Sequence, residues 1–141
     1  MSALLAALIL SANPHLPQAA DMAAHLALIE QRGGPPAAIM YGLVMVETGG
    51  TWNPRTRGRA GEVGLFQLHP CHKPPKGWTA QMDWAAGHLQ FLRKKGGSWE
   101  VALAAYNGGW GGRHRARCKA YARKVLRRAK QCQMSGVTSK S

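Results

Sequence analysis

Acidic residues are scarce in this chain of 141 residues, which has six Asp and Glu against nineteen Lys and Arg and a formal net charge of +13. No acidic residue follows Glu100, and the segment 111–130 is strongly basic. A charge of this sign attracts anionic partners, so nucleic acid, an anionic membrane surface and an anionic polymer such as cell wall are the candidates. No recognisable nucleic-acid motif accompanies the charge, so no specific nucleic-acid partner is predicted.

Cysteine is also rare, and neither cysteine nor histidine shows the spacing of a metal site. Cys118 and Cys132 would lie ~20 Å apart on one straight helix, too far for a disulfide between them. A bridge from Cys71 to either of them stays open, as does the alternative of three free thiols. The six histidines show no ligand spacing, so no metal or cofactor is predicted: His15, His25, His69, His72, His88 and His114.

Long apolar runs are missing as well. The stretch MSALLAALILSA at residues 1–12 is too short to span a bilayer, and it lacks the positive start of a signal peptide. We therefore predict no transmembrane segment and a packed N-terminal helix. Convincing strand alternation is absent too, which leaves an all-α single domain. Its expected parts are an N-terminal helix and linker at 1–17, the main domain at 18–131 and a polar tail at 132–141.

Six segments have helical periodicity or helix boundary signals. Thr79 and Ser98 are the expected N-caps of the fourth and fifth helices. The last helix is expected to bury an apolar stripe and to expose its basic residues. The predicted helices are at about 3–10, 18–31, 36–47, 80–95, 99–106 and 114–131.

The stretch VMVETGG at residues 44–50 places a glutamate on an apolar helix face. Met40, Leu43, Val44 and Glu47 follow the i, i+3, i+4, i+7 spacing of one face. Burial disfavours a charged carboxylate, and the partial negative charge at a helix C-terminus does the same, so both raise its pKa. A carboxyl group held protonated in a cleft is suited to general-acid catalysis. The alternative is a glutamate that turns out to solvent at the end of the helix.

Three motifs in order resemble the lytic transglycosylase family, which has the goose-type lysozyme-like fold. They are ETGGTWNP at 47–54, GEVGLFQLHP at 61–70 and ALAAYNGG at 102–109. Each motif alone is weak, but their order and spacing together are specific, and the resemblance extends over about residues 20–130. It implies a lysozyme-like all-α domain that degrades peptidoglycan.

The resemblance also implies roles for individual residues. Glu47 matches the single catalytic acid and base, and Gln67 matches a glutamine of the cleft. Tyr106 matches a tyrosine whose hydroxyl lies near the catalytic carboxyl, and Asn107 is its neighbour in the groove. The other implied substrate-binding positions are Thr48, which replaces a common serine, Leu65, Phe66, which replaces a common methionine, and Glu62.

Two side chains remain open in their roles. Glu62 is either a cleft residue or, if it orients water, the base of a hydrolysing muramidase. Trp52 either anchors its loop or stacks on a sugar ring. A non-catalytic wall- or nucleic-acid-binding module on the same fold is a third reading, which the intact set of Glu47, Gln67 and Tyr106 disfavours.

The expected reaction cuts the MurNAc–GlcNAc β-1,4 bond and leaves a 1,6-anhydromuramic end. The expected partners are peptidoglycan glycan strands, and the expected place of action is the periplasm or cell wall of a bacterium. A small catalytic domain without a convincing signal peptide is typical of a phage endolysin or a virion-associated protein, which would add a virion partner. A secretion-system muramidase is the alternative setting.

Overall fold

The computed structural model describes residues 2–136, and six α-helices dominate this part of the chain. Between α3 and α4 lies a long loop with no strand, in which Val63 forms isolated bridges with Arg57 and Leu68. The all-α prediction is confirmed. The helices are α1 Ser2–Ala12, α2 Ala19–Gln31, α3 Ala37–Glu47, α4 Trp78–Gly96, α5 Trp99–Gly108 and α6 Ala116–Met134.

One of the two predicted helix caps is correct. The Ser98 hydroxyl accepts a hydrogen bond from the Val101 amide at 3.2 Å, which satisfies a free donor in the first turn of α5. Thr79 does not cap α4, because this helix already begins at Trp78. Its N-cap is Gly77, which has φ +89° and gives no side-chain hydrogen bond. The first turn of α4 therefore receives no hydrogen bond from an N-cap side chain.

Helix α3 is the centre of the fold. All residues from Ala37 to Val44 are buried, so the helix is enclosed on all sides rather than on the one face that its spacing predicts. It packs against α6, which in turn packs against α5. A Cβ atom at Gly42 would lie 2.5 Å from the Val125 carbonyl oxygen, so α3 and α6 approach this closely only because residue 42 is glycine.

Helix α6 carries the predicted apolar stripe and basic face. Cys118, Ala122, Val125 and Ala129 are buried as expected. The helix continues beyond the predicted end at residue 131, and Cys132 is only 1% exposed, so the start of the expected polar tail belongs to the core. Residues 137–141 of that tail lie outside the described chain. All three cysteines are free thiols, and none of them forms a disulfide.

Helix α1 packs against α2. Leu5 and Ile9 are fully buried, so this helix contributes to the common hydrophobic core, as the sequence predicts. Among residues 2–136, no helix combines the length and the apolar character that crossing a membrane would require.

Candidate active site

Glu47 is the last residue of α3, at the point where the buried helix reaches a cleft. Thr48 follows as the C-cap and is 5% exposed. Its hydroxyl donates to the Val44 carbonyl at 2.8 Å and accepts from the Trp52 amide at 3.1 Å. The hydroxyl therefore ties the helix end to the following loop, which fixes the backbone beside Glu47.

The environment of Glu47 favours the protonated carboxyl group. Burial is the largest cause, and with a smaller repulsion from Glu62 it raises the pKa of Glu47 from an ordinary value of 4.5 to about 8. Tyr121 acts in the opposite direction and lowers this pKa, because its hydroxyl stabilises the carboxylate. The balance leaves Glu47 mostly protonated at pH 7, which is the state required of a general acid.

Two half-buried tyrosines have their hydroxyl groups near this carboxyl group, as expected for Tyr106, and Glu47, after burial, contributes to raising the pKa of both. The Tyr106 hydroxyl donates to the Phe66 carbonyl oxygen at 2.7 Å, so it braces the loop opposite rather than the carboxyl of Glu47. The Tyr121 hydroxyl is buried beside Glu47 but has no partner in full hydrogen-bond geometry among the described residues. Burial raises the pKa of both phenols well above 10, so both remain neutral.

Gln67 lines the same cleft as Glu47 and is held in an uncommon backbone conformation, with φ +49°. Its side-chain amide donates to the carbonyl oxygens of Thr56 at 2.9 Å and Gly64 at 2.8 Å. The carboxylate of Glu62 and the amide oxygen of Gln67 both lie over Gly58, where any Cβ atom would collide with them. The loop is thus built to fix both polar side chains at the cleft.

The cleft encloses about 280 Å³. Five of the residues predicted for the site line it, namely Glu47, Glu62, Gln67, Tyr106 and Asn107. Three others do not, because Thr48, Leu65 and Phe66 are 5%, 2% and 0% exposed. They support the wall from behind, and their assignment to direct substrate contact is corrected accordingly.

Three aromatic side chains, His72, Trp84 and His88, form another part of the cleft lining, and the sequence analysis does not assign them to the site. Trp84 stacks on His88 with ring centroids 4.9 Å apart, and His72 lies 4.9 Å from Trp84 and 5.5 Å from His88. The ring centroid of His88 also lies 5.9 Å from that of Tyr106. Burial, and then the neighbouring His72, lower the pKa of His88, so its ring is neutral at pH 7. Neutral aromatic faces of this kind can stack on sugar rings.

Trp52 does not belong to this aromatic wall. It is fully buried and stacks on Tyr41 with centroids 5.8 Å apart. The sugar-stacking role is therefore wrong for Trp52, and the side chain anchors its loop to α3. Aromatic stacking surfaces in the cleft come instead from Trp84 and the two histidines.

Comparison with known proteins gives the same picture of fold and family. The family model for the transglycosylase SLT domain matches residues 27–127 of the 141 residues. The crystal structure of the 70 kDa soluble lytic transglycosylase SLT70 from Escherichia coli superposes with a TM-score of 0.63 at 17% sequence identity. The match covers 81% of this chain and 25% of SLT70, so the chain spans about a quarter of that protein's length. No curated protein sequence matches the chain at a significant level.

Proposed function

The chain belongs to the transglycosylase SLT domain family, and from this premise we propose that it is a peptidoglycan lytic transglycosylase with Glu47 as its catalytic acid and base. The observation that carries the proposal is the position of Glu47, which ends the buried helix α3 in a cleft that also contains Gln67 and Tyr106. Burial there raises the pKa of Glu47 to about 8. A glycosidic oxygen is a poor leaving group until it is protonated, and this carboxyl group holds a proton at neutral pH.

The proposed reaction needs one protein carboxyl group and no water. Glu47 donates its proton to the glycosidic oxygen as the C1–O bond of the muramic acid breaks. The resulting Glu47 carboxylate then takes the proton of the C6 hydroxyl of the same sugar, and O6 bonds to C1. The nucleophile is part of the substrate, so the second carboxylate of ordinary glycosidases is not required.

The neighbouring side chains stabilise the two forms of Glu47 in turn. Burial favours the acid that begins the reaction, and the Tyr121 hydroxyl stabilises the carboxylate that appears after the first proton transfer. The aromatic wall of His72, Trp84 and His88 supplies stacking surfaces for the sugars on either side of the bond. These three aromatic side chains hold the glycan strand so that the bond to be cleaved lies at the carboxyl group of Glu47.

Glu62 gives the proposal a defined competitor. Its carboxyl group lines the same cleft as Glu47, as the water-activating base of a hydrolysing muramidase would. However, Glu62 also accepts a hydrogen bond from the Ala60 amide at 3.1 Å, which anchors it to its own loop. We therefore assign Glu62 to the shaping of the cleft and not to a second proton transfer.

The products distinguish these two reactions. Purified peptidoglycan is digested in ¹⁸O-labelled water, and the released muropeptides are analysed by mass spectrometry. The proposed reaction gives unlabelled 1,6-anhydromuramic ends, lighter by one water than hydrolysed ends. Labelled reducing ends, lost in Glu62→Gln, would identify a muramidase instead, and a folded but inactive wild-type protein would refute both.

A further inference from the structure

Helix α1 is apolar on the side that faces solvent as well as on the side that packs in the core. No residue of this helix carries a charge. Leu4 and Leu10 lie on its outer side and are 48% and 39% exposed. The Ser11 hydroxyl, also exposed, donates to the Ala7 carbonyl oxygen at 3.1 Å, so its hydrogen bond stays within the helix. A helix that is apolar on all sides is suited to an apolar environment on all sides, and the outer side of α1 has none within the fold.

A row of cations runs along the exposed face of α6. Arg123, Arg127 and Lys130 are spaced i, i+4, i+7, and all three are exposed. Met134 continues the row at i+11 and is 78% exposed. In the described part of the chain only Arg123 of these cations has an acidic partner, since its Nε atom lies 4.0 Å from Oε1 of Glu100. An exposed pair at this distance neutralises little, so the row keeps its positive potential.

This row of cations ends beside the outer side of α1. A Cβ atom built on Gly136, two residues beyond the end of α6, would lie 3.4 Å from Cδ1 of Leu4. Four large apolar side chains are exposed among residues 2–136, and three of them belong to these two helices, namely Leu4, Leu10 and Met134. Exposed apolar side chains and cations therefore form one continuous surface.

We propose that the outer side of α1 and the row of cations on α6 together form a docking surface for an anionic lipid bilayer. The leucines enter the boundary between headgroups and acyl chains, while arginine and lysine bind the lipid phosphates. Helix α1 lies in the plane of the bilayer, because its 11 residues span about 16 Å and the hydrocarbon core is about 30 Å thick. The inference goes beyond the proposed activity and does not depend on it, since no residue of the cleft takes part.

Other occupants suit one part of this surface but not both. Nucleic acid or an anionic wall polymer would bind the cations and leave Leu4 and Leu10 in water. A second copy of the chain could cover the leucines across a two-fold axis, but the two rows of cations would then approach and repel each other. A bilayer offers an apolar layer directly beneath an anionic one, which is the combination that this surface requires.

The test is co-sedimentation with vesicles at about 0.15 M salt. One preparation contains equal parts of phosphatidylglycerol and phosphatidylethanolamine, and the other contains phosphatidylcholine alone. The apolar variant combines Leu4→Gln and Leu10→Gln. Its control is Phe91→Gln, which removes an apolar side chain that is 58% exposed on α4.

The charge variant combines Arg123→Gln, Arg127→Gln and Lys130→Gln. Its matched control removes two exposed arginines and one exposed lysine from the loop between α3 and α4, with Arg55→Gln, Arg59→Gln and Lys73→Gln. The charge variant and its control have the same net charge, so a difference between them reports where the cations lie.

We expect the wild-type protein to bind the anionic vesicles and not those of phosphatidylcholine. The apolar variant should lose about tenfold in affinity for the anionic vesicles, because two leucines no longer transfer from water into the bilayer. The charge variant should lose about a hundredfold, because three cations are removed from the bilayer surface. Both controls should stay close to the wild-type affinity.

Wild-type protein that stays in solution with anionic vesicles would overturn the inference. A loss in the charge variant without a loss in the apolar variant would also overturn it, since the cations would then serve a polyanion in water. An equal loss in the charge control would mean that net charge alone attracts the protein to the vesicles. Self-association of the wild-type protein that the apolar variant abolishes, measured by sedimentation velocity, would assign the surface to a second copy instead.

A measurement on the wild-type protein keeps the inference testable if a variant does not fold. Vesicles of the anionic composition are prepared with a gadolinium-chelating lipid, which attenuates the NMR signals of amides close to the bilayer. Signals from residues 2–12 and 123–134 should be attenuated most. Strongest attenuation in any other segment would contradict the proposed docking surface.

Discussion

Replacement of Glu47 by glutamine should abolish cleavage and at the same time stabilise the fold in a pH-dependent way. The amide keeps the shape of the carboxylic acid but has no transferable proton. In the unfolded chain a glutamate has a pKa of 4.5, whereas burial in the native cleft raises the pKa of Glu47 to about 8. Between these two pH values the Glu47 carboxyl group is ionised in the unfolded chain but protonated in the folded protein, so its ionisation opposes folding.

The size of this effect follows from the two pKa values. Each pKa unit corresponds to about 1.36 kcal/mol, so the largest cost to folding would be about 4–5 kcal/mol above pH 8. The cleft is open to solvent, and we halve the figure to about 2 kcal/mol. The cost is absent below pH 4.5, grows as the pH rises towards 8, and is constant at higher pH. Glu47→Gln removes it.

Urea unfolding followed by circular dichroism at pH 4, 7 and 9 measures the difference. Glu47→Gln should match the wild-type protein at pH 4 and exceed it by about 2 kcal/mol at pH 9. Glu47→Asp is the control, because it keeps a titrating carboxyl in the cleft and withdraws it by one methylene. The aspartate variant should lose cleavage yet keep the pH dependence of stability. A gap between wild type and Glu47→Gln that is the same at all three pH values would refute the reasoning.

Three further outcomes follow from the site. Wild-type kcat/KM on peptidoglycan should fall about tenfold per pH unit above pH 8, because Glu47 must begin as an acid, and a flat profile up to pH 10 would contradict this. Tyr121→Phe removes a group that lowers the pKa of Glu47, so the alkaline limb of that profile should move to higher pH, and a move to lower pH would exclude the contact. Tyr106→Phe leaves the Phe66 carbonyl without its hydrogen-bond donor and should lower the free energy of unfolding in urea by about 1–3 kcal/mol. The alkaline limb of the pH profile should not move in this variant. A shifted limb would show that the Tyr106 hydroxyl is a partner of the Glu47 carboxyl group.

The order of helices and the position of Glu47 could be predicted because both depend on local features. Helical spacing and glycine or proline breaks locate the six helices, and Ser98 is a cap whose partner is three residues away. Glu47 stood out because a carboxyl group interrupts an apolar run. The same reasoning could not show that α3 is enclosed on all sides, since residues of any pattern can be covered once other helices surround them.

The contacts that the sequence does not predict join segments that are distant in the chain. Tyr106 and Phe66 are 40 residues apart, and only the fold decides that the hydroxyl reaches that carbonyl. Tyr121 packs against the core from α6, and only the fold brings its hydroxyl to the neighbourhood of Glu47. The Trp52 amide donates a hydrogen bond to the Thr48 hydroxyl, which helps to hold Trp52 in its buried position. The composition of the loop does not reveal this hydrogen bond.

The sequence contains a signal for part of the aromatic wall. Trp84, His88 and Phe91 are spaced i, i+4, i+7 on α4 and lie off its buried stripe. A second apolar or aromatic stripe on a helix indicates a second contact, here the cleft for Trp84 and His88. His72 could not be found in this way, because a short 3₁₀ turn in the long loop carries it to the same wall.

The buried position of α3 explains why a single carboxyl group can serve the proposed chemistry. A surface helix would leave Glu47 solvated and ionised, whereas the enclosed helix ends with its carboxyl group between protein and cleft. The Thr48 hydroxyl holds that helix end, and a serine in its place would offer the same two hydrogen bonds. The acid is thus prepared by the core of the fold, while the loop opposite supplies Gln67 and Glu62 to shape the cleft. Because the nucleophile would come from the sugar itself, the site needs to adjust the pKa of only one carboxyl group.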